Sequence, residues 1–161
     1  MEIFLFTADE IFRAVKTESS LFAQRQVNGN GESLFNGLVF DEEYKDNVRL
    51  FRSYFFEAQS EIISIIPDSV LADSEYTFID EDAPDDFTFT LKTQVLRSPA
   101  YNKVVSIKAK EAIVSYIMYR WLETKLPEYA AIYKGRYKET LNTVRMNIRR
   151  VGIGKIRPFP Y

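Results

Sequence analysis

Apolar residues recur along this chain at spacings of three and four over most of its length, and at a spacing of two in one internal stretch. Thr7-Ala8-Asp9-Glu10 has the form of a capping box, with the Thr hydroxyl able to accept from the third helical amide and Glu10 able to reach back. A helix is therefore expected from Ala8. Ile11, Ala14, Val15, Leu21 and Phe22 continue its apolar stripe across the weaker run Thr17-Glu18-Ser19-Ser20, and Asn28-Gly29-Asn30-Gly31 reads as a loop. Asp41 is a natural N-cap, and Glu42 and Glu43 follow where the helix dipole favours acids. Tyr44, Val48, Phe51, Phe55, Ala58, Ile62 and Ile66 then predict about seven turns of helix, stopped at Pro67.

Residues 68–98 change period. Tyr76 and Phe78, then Phe87, Phe89 and Leu91, alternate with polar residues on either side of the turn 80–86, which predicts a β-hairpin or small sheet. Pro99 opens a further helix, running from about Ala100 to Lys125, with Val104, Ile107, Ile113, Val114, Ile117, Met118, Trp121 and Leu122 apolar. Over 112–122 these residues nearly encircle it, so its middle should be buried on most sides. Leu126-Pro127-Glu128 interrupts the helix, and a last one places Ala130, Tyr133, Tyr137, Leu141, Val144 and Ile148 on one stripe. So short a link predicts an antiparallel pair. Gly152 and Gly154 end it, and the remaining residues favour an extended tail. The expected fold is mainly α: a helical bundle with long helices, a C-terminal antiparallel helical hairpin, a small β-hairpin insertion and an extended C-terminal arm. One helical domain would span 1–151, with the insertion at about 74–93, and the arm would span 152–161.

Composition narrows the chemistry. The 161 residues include 13 Phe, 10 Tyr and one Trp, more aromatic surface than a core of this size needs, so some of it is expected at subunit contacts. With no Cys there is no disulfide, thiolate zinc site or cysteine nucleophile; with no His the commonest general base and metal ligand is missing. The start lacks the cationic, long apolar form of a cleavable signal, and no run approaches the roughly 20 apolar residues of a membrane span. The expectation is a soluble chain without membrane contact. Charge is strongly segregated: residues 1–52 carry 6 basic and 9 acidic groups, residues 53–91 none and 10, and residues 92–161 carry 15 and 4.

Three features could carry function. Asp80, Glu81, Asp82, Asp85 and Asp86 could offer oxygens to a hard cation, yet counting from Asp80 the calcium-loop pattern would need Gly and Glu where Asp85 and Leu91 stand. A solvated turn is the simpler reading, and no cofactor or metal is assigned. Neither Asn28-Gly29-Asn30-Gly31-Glu32 nor Gly152-Ile153-Gly154-Lys155 forms a phosphate loop. Lys134, Arg136, Lys138, Arg145, Arg149, Arg150, Lys155 and Arg157, with Glu139 the only acid among them, could meet DNA phosphates or an acidic protein face. The tail supplies Lys155, Ile156, Arg157, Phe159 and Tyr161 on a proline-stiffened segment, suited to docking on a neighbour because little entropy is lost on binding. No catalytic site is expected.

The run Ala112-Ile113-Val114-Ser115-Tyr116-Ile117-Met118-Tyr119-Arg120-Trp121-Leu122-Glu123, then Leu126-Pro127-Glu128-Tyr129-Ala130 and Tyr133, then the Arg-rich helix end and tail, resembles the helical hairpin of the head-to-tail connector proteins of tailed bacteriophages. The resemblance is architectural, covers roughly residues 41–161, and departs from the plainest all-helical members at the acidic, strand-forming insertion. It implies a structural virion protein of the neck, assembled in the host cytoplasm as an adaptor or neck ring, twelvefold. Such a ring would bind the portal protein and have its arm on a neighbouring neck or tail protein, with DNA present only as cargo in the channel. A nucleic-acid-binding module built on Arg145, Arg149 and Arg150 is the alternative.

Overall fold

The computed structural model describes residues 2–40, 45–66, 74–77, 88–93 and 99–152. Its elements in chain order are β1 (Glu2–Thr7), α1 (Ala8–Ala23), a short α2 (Phe35–Leu38), α3 (Lys45–Ser64), β2 (Ser74–Thr77), β3 (Thr88–Thr93), α4 (Pro99–Leu122) and α5 (Pro127–Gly152). The protein is mainly α, a helical bundle carrying a small sheet.

Local chemistry sets the helix starts. The Thr7 hydroxyl accepts from the Glu10 amide at 3.1 Å, as a cap should. The Glu10 carboxylate is taken up by Lys110 of α4, so the cap also fastens α1 to the bundle. Pro99 and Pro127 are each the first residue of their helix, where a missing N–H costs nothing. After α1 the Asn28 side-chain oxygen accepts from the amides of Asn30 and Glu32, and Gly31 takes φ 79°, a conformation that favours glycine.

α4 is the central helix: it packs on α1, α3, α5 and β1. Ile113, Ile117, Met118, Trp121 and Leu122 are accordingly buried, as the encircling apolar pattern requires. Phe12 of α1, Phe40, Phe51 of α3 and Trp121 meet edge to face, with Phe40 and Trp121 ring centroids 4.6 Å apart. Two polar atoms tie the loop after α2 into this cluster. The Trp121 indole donates to the Leu38 carbonyl at 2.8 Å, and the Ser19 hydroxyl accepts from the buried Phe40 amide at 2.9 Å.

The structure revises several expectations. β2 and β3 pair antiparallel, as the expected β-hairpin or small sheet requires, and the sheet also takes in β1, in the order β1-β3-β2. The strand β1, which the sequence reading did not assign, pairs with β3 through Leu5↔Thr90 and Thr7↔Thr88. Within the described residues α3 ends at Ser64, before Ile66 where the expected stripe ran on. The expected cap at Asp41 with Glu42, Glu43 and Tyr44, the stop at Pro67 and the acidic turn 80–86 lie outside the described residues. In α4 the expected core positions Val104 and Ile107 are exposed, while Val105 and Ala109 are buried in their place. Among the described residues no helix is long and apolar enough to cross a membrane.

Candidate interaction surface

α4 and α5 lie antiparallel. Tyr101, near the start of α4, donates its hydroxyl to the Asn147 carbonyl near the end of α5, and further along Tyr116 and Tyr137 meet edge to face with centroids 5.0 Å apart. Three tyrosines of this pair reach carboxylates on the other helices. Tyr116 donates to Glu57 at 2.7 Å, Tyr133 to Glu18 at 2.9 Å and Tyr137 to Glu61 at 3.4 Å. Arg120 meets Glu57 at 2.8 Å and Arg136 meets Glu18 at 3.3 Å. Burial first, then the adjoining carboxylate, holds all three phenols protonated well above the ordinary tyrosine range. These contacts fasten α5 to α1 and α3, through Tyr133 and Tyr137, and α4 to α3, through Tyr116, since a phenol donating to a carboxylate is a charge-assisted bond.

The aromatic cluster read from the sequence is thus divided. Trp121, Tyr133 and Tyr137 are buried, Tyr116 and Tyr119 are half-buried, and Tyr129 is exposed at the start of α5. Sequence reasoning missed the carboxylates that receive the phenols. A signal was available in Glu57 and Glu61, four residues apart beside the apolar stripe of α3, where one helical turn separates two acids on the same face.

Along the seam between α1 and α5 the surface opens into a groove of about 390 Å³, lined by Leu21, Phe22, Tyr129, Ile132 and Tyr133 and flanked by Arg25 and Arg136. Leu21 is 53% exposed, Ile132 57% and Tyr129 36%, so the groove presents apolar surface to the outside. Phe22 and Tyr129 of its lining meet edge to face at 5.0 Å. A second groove of about 370 Å³ lies on the far side of the Glu18–Tyr133–Arg136 contact, with Ile107, Lys110, Val114 and Thr140 in its walls. Leu21 had been read as part of the α1 core stripe. Ile132 falls outside the stripe Ala130, Tyr133 and Tyr137, and an isoleucine off-stripe was the available sign of a second apolar face.

The basic residues divide as well. Lys138 and Arg145 are exposed on α5, and neither has an acidic partner among the described residues. Arg149 and Arg150 belong to the last turns of α5, with side chains outside the described part. Lys155, Ile156, Arg157, Phe159 and Tyr161 lie outside the described residues. Among the described residues no group of three or more carboxylates is placed to hold a metal ion.

The fold and this surface define a mainly α helical-bundle protein with a partly apolar, partly cationic face along the seam between α1 and α5. Comparison with protein-family models, with curated proteins and with solved structures finds no match to the chain.

Proposed function

We propose that this chain is a structural virion protein of the head-to-tail connector kind, an adaptor or neck ring that joins a portal to a tail. In this reading the bundle is a ring subunit, copies meet through their charged and apolar faces, and residues 153–161 dock on a neighbouring protein. The particle neck would be its final place and the host cytoplasm its site of assembly. The observation that carries the reading is the exposed apolar seam of Leu21, Tyr129 and Ile132 beside Arg25, which has no acidic partner among the described residues, and Arg136, a surface composition suited to contact with another protein. The resemblance of residues 112–133 to connector hairpins supports it.

The test is mass and shape. Purified protein, alone at high concentration and then mixed with a portal protein, is expected to form closed rings by electron microscopy and a discrete oligomer by sedimentation. A purely monomeric species under both conditions rejects the reading. The exposed cations Lys138 and Arg145 favour a second reading, a nucleic-acid-binding module using Arg145, Arg149, Arg150, Lys155 and Arg157. It requires DNA affinity that falls steeply with salt. Undetectable or salt-insensitive DNA binding removes it.

A further inference from the structure

Arg13, Lys108, Lys110, Arg120 and Arg136 each meet an acid. On α5, Lys134, Lys138 and Arg145 do not among the described residues, and all three are exposed; the Lys134 ammonium lies 5.0 Å from the centre of the Tyr119 ring. At 3.6 residues per turn, Lys134 and Arg145 fall within about 40° of Lys138 around the helix, and at 1.5 Å per residue the three form one row about 16.5 Å long. Ala131 and Asn142 share that row, which holds no acid and no large apolar residue. Glu128 and Glu139, the two acids of α5, lie about 80° and 100° round from Lys138, and the exposed Tyr129 lies about 180° round.

The composition of the row selects its partner. A protein face is held chiefly by aromatic and aliphatic anchors, and the row offers none. A single nucleic-acid strand is held by stacking its bases on exposed aromatic rings, and Tyr129 stands on the opposite side of the helix. A double helix needs neither, because its backbone presents one phosphate about every 3.4 Å along each strand, so about five phosphates match a row of this length. We propose that the Lys134, Lys138 and Arg145 edge of α5 is a contact for the phosphate backbone of duplex nucleic acid, made without regard to base sequence. The two lysines act as point charges, and Asn142 fills the gap between Lys138 and Arg145 with a neutral donor of a kind that also meets phosphates. This contact rests on the nucleic-acid reading given above and moves it from the Arg-rich end of α5 to the middle of the helix.

The experiment adds the full chain to a fluorescent duplex of about 20 base pairs, follows anisotropy between about 50 and 200 mM salt, and repeats the titration with a duplex of unrelated sequence. Both duplexes are expected to bind alike, and each cation removed should lower the slope of log affinity against log salt by about 0.9. Lys134→Ala/Lys138→Ala therefore lowers it by about 1.8, which makes the loss of affinity over that fourfold change in salt about 12-fold smaller. Asn142→Lys, an added cation at an exposed place in the row, is expected to tighten binding and to steepen the slope by about 0.9. Thermal melting checks that each variant folds. A slope unchanged in both variants overturns the contact. If Arg149→Ala/Arg150→Ala lowers the slope and the lysine variant does not, the nucleic-acid reading stands and this contact fails; if no duplex binds at the lowest salt, both fail. Equal affinity for a polyglutamate chain, lost in the same lysine variant, marks a site for an acidic protein and overturns the assignment to duplex.

Discussion

Gln59 is fully buried on α3, and neither its amide nitrogen nor its amide oxygen has a hydrogen-bond partner among the described residues. A buried amide left unpaired costs about 1–3 kcal/mol relative to a hydrogen-bonded one. The buried hydroxyl of Ser19 on α1 shows the contrast, because it accepts the Phe40 amide and donates to the Lys16 carbonyl, so both of its roles are filled. Gln59→Met keeps the unbranched shape and length while removing both polar atoms. It is expected to raise stability by about 1–3 kcal/mol, which for a chain of this size corresponds to several degrees of melting temperature. Calorimetry on the two proteins checks this, and an unchanged or lower melting temperature refutes it. Gln59 was not legible as unpaired from its position beside Ala58 on the apolar stripe. The expected stripe does not include Gln59, and hydrogen-bond partners come from other elements that a single stripe does not reveal.

Elements with local determinants were readable, and elements without them were not. Thr7, Pro99 and Pro127 mark helix starts by chemistry within one turn, and all three helices begin where those residues place them. β1 was missed because Glu2–Thr7 shows no alternation of apolar and polar residues; its strand character depends on pairing with β3, some 85 positions away in the chain. The tyrosine contacts are also non-local, and they make the attachment of α4 and α5 to the other helices sensitive to high pH. Tyr116, Tyr133 and Tyr137 bind their protons more tightly when folded than the ordinary phenol, which titrates near pH 10. Their contribution is complete below about pH 10 and is lost as pH rises further, because the unfolded chain releases protons that the folded chain retains. Melting temperature should hardly change from pH 7 to 9 and then fall steeply from pH 10 to 11. In the variant Tyr116→Phe/Tyr133→Phe/Tyr137→Phe that fall is expected to be shallower. An equal slope in both proteins would show that other groups dominate the alkaline transition.

At the scale of the whole molecule, segregation of charge was fully legible, since residues 53–91 hold ten acids and no base while residues 92–161 hold 15 bases and four acids. Which of those bases stand free was not, because pairing depends on geometry: Arg120 and Lys110 meet acids of other helices, whereas Lys138 and Arg145 do not among the described residues. The apolar groove was hidden for a related reason. Leu21 looks like a continuation of the α1 stripe, and only the path of α5 leaves it uncovered. Two kinds of contact are therefore expected in an assembly, and salt separates them. Contacts between oppositely charged faces weaken as the screening length falls from about 10 Å at 0.1 M salt to about 3 Å at 1 M. In the proposed connector, docking through Ile156, Phe159 and Tyr161 would be mainly apolar and should be far less sensitive. Removing residues 153–161 is accordingly expected to leave the melting temperature and the salt-dependent oligomer mass unchanged while abolishing capture by a portal or neck protein. Raising the salt should do the reverse to the full chain, lowering oligomer mass while a measurable arm-dependent capture persists. A truncated chain that binds those proteins as tightly as the full one would assign their recognition to the bundle surface and remove the arm from the proposed mechanism.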